Sequence, residues 1–413
     1  MKIEIDSLIY NKHTGIIKKI IELKNEDMEN YFTAQARLTN NESFNIEYPF
    51  DQVSSGTSTD SKQAIQASIG EGIERYCGNI IENLSPEYSL NELSKNGVKA
   101  LDNKAIIEYK NYQYEDPKFP FKRFCRDSKT NWVKSIEIIK NEEFLVPMNL
   151  VYVNYYYFNP NINYNFPNLA GIAAGNERKQ AIINSITEII ERDASIRWWY
   201  TKEIDGTFIV KDKINDSLSF YTYLLHSIVP TAAVFLFDDK NDLVNLGFAC
   251  RFNIKDAIDK AKSEAVQLRQ NALHLLRNID LSDKDNTKKY LKSFKKNRNY
   301  IDSYRLDYRD MYDLIHNTQL YLDPKMKEKL SFYRSQQQEE VRYQYILSFE
   351  RLLEYFKYKN QKVLISDITT KDIMATNIRV VRALMPGFII NGPTPYIPLE
   401  KSLLTEIPPI PHS

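Results

Sequence analysis

The chain has 413 residues, 43% hydrophobic and 26% charged, enough for a sizeable core and for two or three domains. Its 55 Lys and Arg balance 54 Asp and Glu to a formal charge of +1, which gives no bulk pull toward nucleic acid or an anionic membrane. Cys77, Cys125 and Cys250 are scattered with no CxxC, which excludes a disulfide framework or thiolate zinc site and fits a reducing compartment. No apolar run approaches the ~20 residues that span a bilayer. The start, MKIEIDSLIYNKHTG, carries acids early and lacks a signal-peptide core. The expectation is a soluble, cytoplasmic protein. There is no GxxxxGK[ST] and no GxGxxG, and the five histidines show no ligand spacing.

In chain order, IEIDSLIY and IIKKIIEL predict strands around an HTG turn. Residues 52–61, QVSSGTSTDS, read as a polar loop. A helix is predicted from Lys62 to Tyr76. Residues 145–175 read as a strand, a long Tyr- and Asn-rich loop and a Gly-bounded turn. A second helix is predicted from Glu177 to Tyr200, then strands AAVFLF and LVNLGFACRF, then a third helix over Lys255–Asn278. Residues 282–340 are charged and read as helical, either a solvated surface or a docking face for an acidic partner. VLISDIT and NIRVVRALMPG predict two more strands. Seven of the 16 prolines fall in the last 28 residues, which excludes regular helix or central strand there.

One pattern carries chemistry. SIGEGIER at 68–75 and SITEIIER at 185–192 share six of eight positions at an offset of 117. At about 100° per residue, Glu71, Glu74 and Arg75 share one helix face, opposite Ile65, Ile69, Ile73 and Tyr76. On the second helix Asn184, Glu188, Glu191 and Arg192 share a face, opposite Ile182, Ile183, Ile186, Ile189 and Ile190. Each stripe alone reads as a solvated face with an Arg–Glu pair. Facing each other, they would line a cleft with four carboxylates, an amide and two arginines. Hard oxygen ligands suit Mg²⁺ bridging to phosphate, and arginines suit the phosphates themselves. Glu264, Gln267 and Arg269 form ExxQxR on the third helix, a possible closing element.

These residues resemble the YcaO-domain family. SSGTSTDSKQAIQASIGEGIERY is similar to its first signature, GIAAGNERKQAIINSITEIIERDASIRWW to its second, EAVQLR to its third, and VVRALMPGF to its late strand and Pro-Gly turn. The resemblance implies an α+β fold of mixed β-sheets backed by helices, with an ATP/Mg²⁺ cleft between the two helices. It implies a short N-terminal segment over 1–50, a catalytic domain over 51–400 and a proline-rich tail over 401–413. ATP would contact Ser58, Glu71, Glu74, Arg75, Asn184, Glu188, Glu191, Arg192, Glu264, Gln267 and Arg269. Mg²⁺ would be held by Glu71, Glu74, Glu188 and Glu191. Where many members carry Gly-Lys-Gly this chain has Thr57 and Ser58, and Ala67 stands at the serine that opens the first signature.

The implied activity is ATP-dependent cyclodehydration of Cys, Ser or Thr in a ribosomally made precursor peptide, through O-phosphorylation of a backbone amide. Thioamide or amidine formation, and a non-catalytic scaffold, are the alternatives. HTGIIKKI and the PPIPHS end are similar to the azoline-forming, cyclodehydratase branch. That places Pro411 and Ser413 beside Glu71 and Glu188 as candidate catalytic residues, with the C-terminal carboxylate or a cleft carboxylate as base. Fused members carry a long N-terminal domain resembling ubiquitin-activating enzymes. With about 50 residues before its first signature, this chain would need a separate leader-binding partner of that kind, as in split, thiopeptide-like systems. The resemblance also implies a homodimer.

Overall fold

Alternating side chains and β-branched runs give twelve strands among the described residues. They are β1 Ile17–Lys24, β2 Phe32–Leu38, β3 Val53–Ser58, β4 Trp132–Glu137, β5 Glu142–Pro147 and β6 Ile172–Gly175. Then come β7 Gly206–Lys213, β8 Leu218–Leu225, β9 Thr231–Asp238, β10 Leu243–Cys250, β11 Leu364–Asp367 and β12 Arg379–Leu384. Four longer helices accompany them: α1 Ser61–Asn79, α2 Arg178–Ile196, α3 Ile254–Arg277 and α4 Phe349–Tyr358. This computed structural model describes residues 7–25, 27–39, 53–159, 161–277 and 291–412. The chain divides into two units. Unit 1 is 1–24, 32–189 and 348–389; unit 2 is 25–31, 190–347 and 390–413.

Unit 1 holds a three-stranded sheet, β1-β2-β3, and a five-stranded sheet, β5-β4-β11-β12-β6. Every strand pairing in both is antiparallel, where mixed sheets were expected. Helix α1 packs on β2 and β3 and also on β6. It runs three residues past the expected end at Tyr76, and its first turn is capped by Asp60, whose side chain accepts from the Lys62 and Gln63 amides. Ile69, Ile73 and Tyr76 are buried as the periodicity predicts.

The polar run at 52–61 is not a loop throughout, since it contains β3. Its small residues answer a packing demand. A Cβ on Gly56 would lie 2.3 Å from the Ala64 carbonyl oxygen and 2.5 Å from the Ser68 nitrogen. The Ser54 hydroxyl donates to the Ser68 carbonyl at 2.7 Å. A strand pressed against a helix backbone needs the composition that elsewhere marks a turn. The GIAAG segment expected as a turn is likewise β6, entered through Gly171 at φ +85°.

Unit 2 holds the antiparallel sheet β10-β9-β8-β7 with α3 packed on β9 and β10. Strands β9 and β10 are buried along their whole length. Gly247 admits α3, since a Cβ there would sit 2.1 Å from the Ala261 carbonyl oxygen. Buried Arg269 donates from Nε to Oδ2 of buried Asp238 at 2.7 Å, tying α3 to β9. Helix α2 closes on a π turn, Arg197–Thr201, that buries Trp198, Trp199 and Tyr200. Trp199 stacks on Tyr333, which stacks on Phe235 at 4.4 Å, so these aromatics are core.

Of the region expected to be helical over 282–340, the described part from 291 on is not a continuous helix. Residues 278–290 lie outside the described residues, and 291–347 carry only short helical turns such as Ile315–Leu320 and Pro324–Lys329. Its charges follow no helical period. The proline-rich end does hold one short helix, Lys401–Glu406, in the gap between Pro398 and Pro408. No described helix is long and apolar enough to cross a membrane.

Gly56→Ala and Gly247→Ala should each cost ~2 kcal/mol or more, because backbone atoms must move. At Gly70 an added Cβ meets nothing within 4 Å, so Gly70→Ala should hold or raise stability. Urea midpoints check this ranking; equal midpoints for all three variants would contradict the packing account.

Candidate functional site

The echo helices meet in unit 1 at one residue. The Ala174 amide on β6 donates to Oε1 of Glu74 on α1 at 2.8 Å. The Ala174 carbonyl accepts from Nδ2 of Asn184 on α2 at 3.0 Å. Strand β6 is an edge strand, so both of these backbone groups would otherwise lack a ladder partner. The opening residues of the two motifs are not ligands. Ser68 and Ser185 are fully buried, and the Ser185 hydroxyl donates to the Gly171 carbonyl and accepts from the Ala383 amide.

The first glutamate of each motif reaches back to the backbone near its own preceding strand. Oε2 of Glu71 accepts from the Ser55 amide on β3 at 2.8 Å, and Oε2 of Glu188 accepts from the Gly171 amide at 3.0 Å. The second glutamate of each reaches a strand further along the chain. For Glu74 that is β6; for Glu191, in unit 2, it is β10, where the Cys250 amide donates to Oε2 at 3.1 Å. The echo is therefore one strand-and-helix device used twice.

Electrostatics in unit 1 are unfavourable to charge. Burial pushes the Glu74 carboxyl up to about 8, with Glu188 and Glu71 adding to the rise and the Ala174 amide opposing it. Part of the Glu74 side chain still reaches the surface while its carboxyl is desolvated. Arg75 pairs with Glu71 at 2.7 Å. Arg382 on β12 is a further member that the sequence reading missed. It is buried, donates to the Asn168 carbonyl at 2.8 Å, and burial lowers its pKa to about 10 against the pull of Glu188. An arginine inside the apolar run VVRALM was the available signal.

Ser58 ends β3, where its hydroxyl donates to Oε1 of Gln63 at 3.0 Å. The next helix start is already occupied by the Asp60 carboxylate, which offers repulsion to a phosphate there. Thr57 is buried and its hydroxyl bonds that of Thr33.

A second cluster lies in unit 2. Nη1 of Arg192 sits 3.5 Å from Oε1 of Glu191 and 2.7 Å from Nε2 of His412. Glu264 pairs with Lys260 at 3.3 Å. Burial raises its pKa, but Lys260, His412, Arg192 and Arg251 together hold it below the usual range. Gln267 is half-buried, and Arg269 is committed to Asp238. The tail is ordered by specific bonds. Trp199 donates to the Pro408 carbonyl, Tyr321 to that of Pro409, and the Leu246 amide to that of Pro411. Ser413 lies outside the described residues.

Burial, and next Arg192, hold His412 down to about 4, with Glu264 and the Leu246 carbonyl acting the other way. The unfolded chain takes up this proton near ~6.5 while the folded chain resists until about 4. The stability is therefore complete above pH ~6.5 and lost as pH falls toward 4, up to ~3 kcal/mol. Urea midpoints at pH 7.5 and 4.5 should show a smaller acid loss in His412→Gln than in the parent. Equal losses would contradict the assignment.

Over residues 55–389 the chain matches the family described as YcaO cyclodehydratase, ATP- and Mg²⁺-binding. No curated protein matches it. Among solved structures it is similar to a heterocyclase in complex with substrate and cofactor, at TM-score 0.66 and 17% identity, covering 98% of this chain and 55% of that one. The chain thus spans about half of that heterocyclase's length. It is also similar to YcaO from Methanopyrus kandleri bound with AMPPCP and Mg²⁺, at TM-score 0.52 and 14% identity, covering 96% and 91%. A third is the E. coli microcin synthetase McbBCD complex with pro-MccB17 bound, at TM-score 0.60 and 13% identity, covering 95% and 96%. At such identities the likeness is one of fold, and the family match over most of the sequence is the stronger finding: this chain belongs to the YcaO cyclodehydratase family, which binds ATP and Mg²⁺.

Proposed function

We propose that this protein catalyses ATP-dependent cyclodehydration of Cys, Ser or Thr in a ribosomally made peptide, giving thiazolines or oxazolines. The observation that carries the reading is the convergence of Glu74 and Asn184 on Ala174, with Glu71 and Glu188 close enough to raise the Glu74 pKa. A peptide substrate and a partner protein that presents it are supported by the microcin synthetase complex with pro-MccB17 bound. A separate leader-binding protein resembling ubiquitin-activating enzymes is the partner we propose.

Among the described residues no three acidic, His or Cys side chains form a ready-made metal cage. Mg²⁺ is commonly held by one or two carboxylates with waters and substrate phosphates completing its shell. Burial, with Glu188 and Glu71 nearby, holds the Glu74 carboxyl up to about 8, so a cation beside it would favour its ionised form. One or two of Glu71, Glu74 and Glu188 are the residues we assign to each Mg²⁺; Glu191, held by the Cys250 amide in unit 2, is left out of this assignment. When bound, Mg²⁺ supplies charge neutralisation between these carboxylates and the triphosphate.

The chain's own task is positioning. Arg75, Arg192, Asn184, Ser58, Glu264 and Gln267 are assigned to ATP; Arg269, held by Asp238, is assigned instead to fixing α3. The amide oxygen of the peptide attacks the γ-phosphorus and takes the phosphoryl group, and ADP leaves. The Cys, Ser or Thr side chain adds to the amide carbon, phosphate departs with the former amide oxygen, and the amide nitrogen gives up its proton to solvent as the ring C=N bond forms. A base must take the nucleophile's proton. Our assignment is a cleft carboxylate, with Pro411 and Ser413 of the tail as further catalytic candidates.

Incubation with ATP, Mg²⁺, precursor and partner should release phosphate and give a product lighter by one water per ring. Glu71→Ala and Glu188→Ala should each lower phosphate release ~10²-fold or more. A product in which sulfur replaces oxygen would instead establish thioamidation, and no phosphate release with any peptide would leave a scaffold.

A further inference from the structure

His412 is seated by contacts on every side, all within unit 2. Its ring packs edge-on against Phe248, with centroids 5.6 Å apart. Its carbonyl accepts from Nδ2 of Asn317 at 3.1 Å. Its Nδ1 lies 3.1 Å from the Leu246 carbonyl, and the Leu246 amide is bonded to Pro411. A carbonyl oxygen only accepts, so Nδ1 carries the hydrogen. In the neutral ring Nε2 then offers a lone pair, and Nη1 of Arg192 lies 2.7 Å from it.

We propose that His412 is a positioning residue for Arg192: its imidazole lone pair fixes the direction of a guanidinium that contacts the nucleotide. The inference rests on the reading of Arg192 as an ATP-binding residue. A neutral acceptor suits this purpose better than a carboxylate, because it orients the cation without cancelling its charge. Glu191, 3.5 Å away, is itself tied to the Cys250 amide. The imidazole is in turn aimed by the β10 backbone, on the strand that Gly247 lets α3 approach. A side chain near the end of the sequence thereby sets the geometry of one in the second signature.

The test is calorimetric binding of Mg·ATP to the full chain, with Tm measured alongside. His412→Phe keeps a ring but has no acceptor and should weaken binding about tenfold. His412→Gln can return an oxygen to the Nε2 position and should recover to within about threefold. His412→Asn, too short to reach Arg192, should resemble His412→Phe and serves as the comparison should the phenylalanine variant fold poorly. On an Arg192→Ala background the histidine substitutions should have no further effect. Equal affinities for the Gln, Asn and Phe variants, or an undiminished effect on the Arg192→Ala background, would overturn the inference. If Arg192→Ala itself leaves Mg·ATP binding unchanged, the nucleotide reading of Arg192 fails. If it weakens binding while the histidine series is flat, only the present inference fails.

Discussion

The site in unit 1 depends on the two hydrogen bonds at Ala174. An edge strand presents unpaired backbone groups, and here α1 and α2 each supply a side chain to one of them. A hydrogen bond between neutral groups contributes ~0.5–1.5 kcal/mol net, so the Glu74 contact gives direction more than energetic weight. Burial keeps Glu74 protonated over much of the neutral range. The contact thus serves the strand while leaving a carboxyl group whose ionised form awaits a cation.

The same device recurs along the chain. Each motif begins with a buried serine at a helix–sheet contact, continues with a glutamate bonded near its own preceding strand, and then has one bonded to a strand further along the chain. Hence the spacing SIxExIER is a spacing between strands as much as between ligands. The requirement for glycine has the same origin: Gly56 and Gly247 sit where helix backbone touches strand backbone. The order imposed on the last residues extends this logic, since β10 receives Glu191 from α2 and Pro411 from the tail.

Much of the fold was legible because buried helices and strands impose periods on apolar residues. α1, α2 and α3 emerge within a few residues of their predicted spans, and the isoleucine stripes are core except for half-buried Ile65 and Ile183. β3 and β6 were hidden because strands pressed against helices are built from Ser, Gly and Ala, which carry no hydrophobic alternation. Residues 291–347 misled in the opposite sense, since abundant Lys, Arg and Asp resemble a solvated helix while the chain makes short turns. In the candidate site the glutamates and Asn184 could be read from their shared faces. Arg382 was signalled only by its place in an apolar strand, outside the two helical faces. The partner of Arg192 could not be read, because His412 lies 220 residues away in sequence.

The central claim is that carboxylates from both echo helices serve a single Mg·triphosphate. A double-mutant cycle on Mg·ATP affinity, using Glu74→Gln, Glu188→Gln and the pair, tests it most directly. The account predicts a coupling of ~1 kcal/mol or more between the two positions, with all variants folded without ligand. Strictly additive losses, or unchanged affinity in the double variant, would contradict it.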